Sequence, residues 1–212
     1  MGITSMIRLD YFTMKPNLKT FGVVILFVVA LFWLMGTSLT LLLINCAWSI
    51  ALISTNIFAV EEKDGLQRLY GMLPLGARDI ILGRYGFVLL SYVVATSVVL
   101  GLSFVVPGNG STPWNGVFFS LGGSILVFSA IVGTQMPFFF RLGYNKGRFY
   151  AMAPFFVVIG LVALPSFVGD TLVLFKWVIN NQNIASILMF TLGIAILSLS
   201  YVVSLLLYKG QK

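Results

Sequence analysis

The chain contains no histidine, a single cysteine and few charged residues. Without histidine, the chain cannot use His-based acid–base catalysis, Ser–His proteolysis within the membrane, or His-ligated metal and haem. Cys46 has no cysteine partner in the chain and is expected to act as a small apolar residue. No Gly-x-x-x-x-Gly-Lys-Ser/Thr phosphate loop occurs, so the chain does not bind ATP in that manner. These absences argue against an enzyme.

The composition of the chain is dominated by apolar residues. They make up 59% of the 212 residues, and charged residues only 9%, whereas soluble domains are about 45–50% apolar and about 25% charged. Mean hydropathy is +1.02. A helix needs about 20 apolar residues to cross roughly 30 Å of hydrocarbon. The sequence therefore predicts a single all-α integral membrane domain over residues 1–212, with six spans at about 20–36, 39–60, 85–106, 116–140, 150–168 and 184–207.

The positions of the basic residues predict the orientation. If the six spans are correct, 12 of the 13 lysine and arginine residues lie on one side of the membrane, and only Lys176 lies on the other. The positive-inside rule then places both termini in the cytoplasm. The net charge of +7 is accounted for by topology, and no nucleic-acid partner is needed to explain it.

Residues 1–18 are predicted to form an amphipathic helix on the inner leaflet, ended by Pro16 before the first span. The alternative is a disordered basic tail. The helical interpretation depends on apolar residues at helical spacing, namely Ile3, Ile7, Tyr11, Met14 and Leu18.

The second span carries a polar face formed by Ser38, Asn45, Ser49 and Asn56. Steps of seven, four and seven place these residues on one side of a helix. One interpretation is hydrogen bonding between helices, which small polar residues commonly provide in membranes. The other is a face toward a substrate path or a second copy of the chain.

The fourth span has small residues that permit close helix approach, namely Gly116, Ser120, Ser124, Ser129 and Gly133. No span has a charge near its centre. Ion-driven carriers usually need carboxylates there, so we expect an energy source outside this chain.

One internal segment, 61–85, holds eight of the chain's charges. Its apolar residues Leu66, Leu69, Tyr70 and Leu73 share one face of a short helix, while its polar residues Lys63, Asp64, Gln67 and Arg68 lie on other faces. Pro74 should break this helix, and 77–84 should restart a helix that continues into the third span. A solvated loop would also obey the positive-inside rule, but it would need neither an apolar stripe nor a defined break.

This segment resembles the permeases of ABC exporters of the ABC-two class. The resemblance rests on Glu61, Glu62, Lys63, Gly65, Leu69, Leu73, Pro74, Arg78, Asp79, Ile80, Gly83, Arg84 and Tyr85, and on the opening 7–11, Ile-Arg-Leu-Asp-Tyr. In that family the loop between spans two and three is a coupling helix that docks on an ATP-binding subunit. The resemblance assigns that role here to 61–73, and short outer helices to 166–183.

The resemblance implies a non-catalytic permease subunit in a bacterial cytoplasmic membrane. It implies two copies of the permease and two ATP-binding subunits, with ATP and Mg on the partner and no cofactor in this chain. Expected ATPase-coupling residues are Glu61, Glu62, Lys63, Asp64, Leu66, Arg68, Leu69, Tyr70 and Leu73. The expected cargo is hydrophobic or amphipathic, such as an antimicrobial or toxin peptide, and Ser38, Asn45, Ser49 and Asn56 would line its path or the dimer face.

Two alternatives remain open at this point. A substrate-capturing subunit of a vitamin-uptake system has a similar size, but it should carry a polar ligand cage near the outer face, and none is evident. A stand-alone membrane protein conferring immunity to a bacteriocin would have no use for a coupling loop.

Overall fold

The computed structural model describes residues 3–34, 38–65, 76–105, 114–168, 177–178 and 180–209. Within these ranges the regular structure is helical, in five elements: α1 (Ile3–Leu34), α2 (Leu39–Lys63), α3 (Ala77–Val105), α4 (Trp114–Val168) and α5 (Gln182–Lys209). Four stretches in these ranges are long and apolar enough to cross a membrane, namely Leu39–Lys63, Ala77–Ser103, Gly116–Val158 and Gln182–Tyr208. The prediction of an all-helical, multi-pass membrane protein is thus confirmed. Half of the residues predicted to form outer helices at 166–183, namely 169–176 and 179, lie outside the described residues.

The 55-residue α4 consists of two helical segments, 114–142 and 144–168, separated at Gly143. Gly143 has φ 71° and ψ 179°, in a region that glycine enters without steric penalty. The second segment folds back along the first, as the contacts between them show. Gln135 Nε2 donates a hydrogen bond to the Ala151 carbonyl at 2.9 Å. The ring of Phe138 also stacks on that of Tyr150, with centroids 5.7 Å apart. The predicted spans 116–140 and 150–168 fall on these two segments.

The prediction that Pro16 ends the N-terminal helix is wrong. α1 runs without a break from Ile3 to Leu34 and includes Pro16. Proline removes one backbone hydrogen bond, the one that would reach the Phe12 carbonyl, but its fixed φ is compatible with an α-helix. Helices in membranes tolerate this loss when neighbouring groups pack around it. The described residues of the predicted segments 1–18 and 20–36 therefore share one helix, and 3–18 is not a disordered tail.

The buried face of α1 also differs from the predicted apolar stripe. Met14 of the stripe is buried as predicted, but Tyr11 of the stripe is 47% exposed, while Met6 and Asp10, which the stripe does not include, are at most 1% exposed. This face packs on α3, where a Cβ at Gly86 would lie 3.3 Å from Ile7 Cδ1. Apolar spacing alone did not predict this buried face, because Asp10 lies at the centre of the face.

The core of the bundle lies between α2 and α4, and α5 packs closely along α4. A Cβ added at Gly133 would lie 2.9 Å from Ile196 Cγ2, and one at Gly193 would lie 3.3 Å from Ser129 Oγ. Close helix approach at Gly133 and Ser129, as the sequence predicted, is confirmed.

Candidate functional site

The charged segment begins inside α2. The predicted second span ends near residue 60, but α2 continues through Lys63. The Asp64 N–H donates to the Val60 carbonyl at 2.9 Å, and Gly65 then adopts φ +65°, the left-handed conformation that commonly ends helices. The first residues of the predicted coupling segment 61–73 therefore lie in the last turn of α2, and the helix that contains them ends before Gly65. The remaining predicted coupling residues, Leu66, Arg68, Leu69, Tyr70 and Leu73, lie outside the described residues.

Glu61 forms a buried ion pair with Arg84 of α3. Arg84 Nη2 lies 2.5 Å from Glu61 Oε2, and the two side chains are 3% and 8% exposed respectively. α3 restarts at Ala77, as predicted, and this start places Arg84 two helical turns into α3. The guanidinium also lies 4.5 Å from the ring centroid of Phe58 and 5.6 Å from that of Phe140, within range of cation–π attraction. Arg84 thus joins α3 to α2 and α4.

A second carboxylate, that of Asp10, is buried near this pair. Its side chain is 1% exposed, and its Oδ2 has no hydrogen-bond partner among the described residues. The pKa of Asp10 is raised to about 6, mainly because burial disfavours the carboxylate; Arg84 lowers this pKa and Glu61 raises it. Sequence reasoning missed this cluster. The only signal was one acidic residue within an otherwise apolar and basic helix.

Glu62 links α2 to the break in α4. Its Oε2 accepts hydrogen bonds from the backbone N–H groups of Tyr144, at 2.7 Å, and Asn145, at 3.0 Å. Its Oε1 accepts a further bond from Asn145 Nδ2. N–H groups in the first turn of a helix have no acceptor within that helix, so Glu62 supplies one from another element. A Cβ at Gly143 would lie only 3.5 Å from Glu62 Oε2, so glycine also leaves room for this carboxylate.

These contacts gather four charged residues and one neutral amide at one end of the bundle, which we call the charged end: Asp10, Glu61, Glu62, Arg84 and Asn145. Phe140 and Tyr208, whose ring centroids lie 6.0 Å apart, bring the last turn of α5 to the same end. Lys63 and Asp64 are exposed there. Of the predicted coupling residues that the structure describes, Glu61 and Glu62 therefore make internal contacts, while Lys63 and Asp64 face outward.

The predicted polar face of α2 makes mostly local contacts. Ser49 Oγ donates to the Asn45 carbonyl at 3.0 Å, and Asn56 Nδ2 donates to the Leu52 carbonyl at 2.9 Å. Ser38 is the exposed N-cap residue and makes no side-chain capping bond. These bonds stay within α2 and do not join it to another helix.

Hydrogen bonds between α2 and α4 come from a different face of α2. The hydroxyls of Thr40 and Ser120 lie 2.8 Å apart. Ser54 Oγ donates to Gln135 Oε1 at 3.4 Å. The predicted polar face is thus not what holds these two helices together, and its role as a substrate path or dimer face stays a prediction.

Comparison with known protein families gives a match that covers nearly the whole chain. A family model described as "ABC-2 family transporter protein" matches residues 5–209, a range that includes the charged end and nearly all of the described helices. No curated protein and no solved structure matches the chain.

Proposed function

Since the chain belongs to the ABC-2 transporter family, we propose that it is the permease subunit of an ATP-driven exporter. The chain has no phosphate loop, so ATP and Mg belong on a separate ATP-binding subunit. Six spans form half of a transport path, so the working unit contains two copies of this chain and two ATP-binding subunits, in a bacterial cytoplasmic membrane.

The proposal rests on the contacts that fix the last turn of α2 to two other helices, at the point where the charged segment leaves α2. Glu61 fastens the last turn of α2 to α3 through Arg84, and Glu62 fastens the same turn to α4 at 144–145. Lys63 and Asp64 follow at once and are exposed. A partner that pulls on the segment after Gly65 therefore acts on three helices together. Coupling requires this rigidity, because a flexible joint would absorb the movement that ATP binding produces.

Six membrane crossings with both termini in the cytoplasm complete the proposed topology. The apolar stretch Gly116–Val158 has 43 residues, which at about 1.5 Å per residue would extend about 65 Å. That length is about twice the hydrocarbon thickness, so the break at Gly143 is proposed to divide it into two crossings. The membrane part of α1 supplies the remaining crossing. The charged end then faces the cytoplasm, in agreement with the distribution of lysine and arginine.

The transport path is proposed to lie between two copies of the chain, along the α2 face formed by Ser38, Asn45, Ser49 and Asn56. Asn45 and Ser49 are only half-buried in a single copy, and amides facing hydrocarbon are unfavourable without a partner. Amphipathic cargo, such as a small peptide, would meet both apolar surface and these polar groups along such a path.

The proposal is tested by purifying the tagged protein from its native membrane in mild detergent and assaying the co-purifying chains for ATPase activity. We expect a stoichiometric ATPase, which the double charge reversal Lys63→Glu with Asp64→Lys releases. Asn183→Lys changes an exposed residue of α5 at the opposite end of the bundle and is the matched control, with the ATPase retained. A clean preparation without ATPase would overturn the exporter proposal and favour a stand-alone immunity protein.

A further inference from the structure

We infer that Asp10 is a buried proton-binding site, and that its proton determines how firmly α1 is held at the charged end. Nothing in the proposed transport function assigns a role to this carboxylate. The inference concerns the permease alone and does not require an ATP-binding partner.

The surroundings of Asp10 contain more acid than base. Glu61 of α2 and Arg84 of α3 both shift its pKa. Tyr208 of α5 packs against the cluster of Met6 and Ile80, in which Met6 lies one turn from Asp10 on the same face of α1. α4 contributes Phe140, which cannot titrate. With both carboxylates ionised, two negative charges share one guanidinium, and a single added proton makes the cluster neutral.

Geometry favours Asp10 over Glu61 as the group that takes this proton. Glu61 has the close contact with Arg84, at 2.5 Å, whereas Asp10 Oδ2 has no hydrogen-bond partner in the described part of the chain. A buried carboxylate that lacks such bonds is strongly disfavoured and tends to become neutral instead. Taken as whole residues, Asp10 is also the more deeply buried, at 1% exposed against 6% for Glu61.

The raised pKa of about 6 agrees with this assignment and sets the pH range. Since the ordinary value is 3.8, the folded protein holds this proton at pH values where the unfolded chain has released it. The resulting stabilisation is fully present below about pH 4 and is lost as the pH rises through about 6. Acidification toward pH 6 should therefore strengthen the attachment of α1 to α2 and α3.

Thermal unfolding of the purified protein in detergent between about pH 5 and pH 8 tests this inference. We expect the wild-type melting temperature to fall relative to that of Asp10→Asn as the pH rises through about 6, because the neutral amide mimics the protonated acid. A shift of about two pKa units corresponds to about a 100-fold change in the folding equilibrium over the full pH range, of which about tenfold falls between pH 5 and pH 8. Asp64→Asn makes the same chemical change at an exposed site and should follow the wild type. Identical pH profiles for the wild type and Asp10→Asn would overturn the inference.

Infrared difference spectra between the two ends of this pH range report the proton directly. A carbonyl band from a protonated carboxyl group should appear on acidification in the wild type and in Asp64→Asn, and should be missing in Asp10→Asn. If Asp10→Asn does not fold, Asp10→Glu keeps a titrating acid and should displace the band. A band that remains unchanged in the Asp10 variant would contradict the assignment.

Discussion

Removing the guanidinium of Arg84 should destabilise the bundle more than any comparable change at its surface. Arg84→Met keeps an apolar stem against Phe58 but leaves Glu61 and Asp10 buried without a cation. Breaking a buried ion pair by deleting one partner typically lowers the free energy of unfolding by about 3–5 kcal/mol. With side chains only 3% and 8% exposed, solvent cannot compensate, so we expect a loss in that range.

Removing the acidic partner of the ion pair should lower the free energy of unfolding by less. Glu61→Gln removes one negative charge but leaves Asp10 to balance Arg84, so we expect a loss of about 1–3 kcal/mol. In the double variant, residue 61 is a neutral amide, so removing Arg84 no longer leaves a carboxylate at that position without a counter-charge. The two changes should therefore be less than additive, with a coupling free energy of about 1–3 kcal/mol.

Denaturant unfolding in mixed micelles, followed by tryptophan fluorescence, measures these values in the permease alone. Lys146→Met removes an exposed cation near the break in α4 and serves as the control, with an expected effect of less than about 0.5 kcal/mol. The reasoning would be refuted if Arg84→Met were as mild as Lys146→Met, or if the effects of Arg84→Met and Glu61→Gln simply added.

Two further predictions concern Glu62 and Gly133. Glu62→Gln should speed hydrogen exchange at the Tyr144 and Asn145 amides, because a neutral amide oxygen replaces the carboxylate that accepts both N–H bonds. Lys63→Gln is the control and should leave exchange at these amides unchanged. Equal exchange rates in the wild type and both variants would contradict the stabilising contact of Glu62 with α4. Gly133→Ala should lower the melting temperature, at about 1–2 kcal/mol of net destabilisation, because its Cβ would lie 2.9 Å from Ile196 Cγ2. Gly123, with nothing within 4 Å of an added Cβ, is the control, and equal losses at both positions would count against tight packing.

Apolar patterning was sufficient to predict the helices because a bilayer leaves few other ways to satisfy the backbone. The restart of α3 at Ala77 was also predictable, since it depends on local turn signals after Pro74. The end of α2 at Lys63 could not be predicted, because a membrane span is ordinarily expected to end before a run of charged residues. Here Glu61 continues the helix, since Arg84 neutralises it from a distant part of the chain.

The candidate site was harder to predict because its main residues are fixed by contacts between distant segments. The sequence gives no sign that Asp10 is buried, and only the packing of α1 on α3 reveals its burial. Periodicity identified the polar face of α2, but it did not identify the hydrogen-bond acceptors. Ser49 and Asn56 use carbonyls of their own helix, an option that short polar side chains always have.

The proposed function places the docking site of an ATP-binding subunit where the charged segment leaves the end of α2. Cysteine cross-linking tests it directly, because Cys46, the only cysteine in the chain, is buried and can be replaced by alanine. A cysteine introduced at Lys63 should cross-link in native membranes to a chain that hydrolyses ATP, while one introduced at Asn183 should not. Equal cross-linking from both positions, or a Lys63 partner without ATPase activity, would contradict the account.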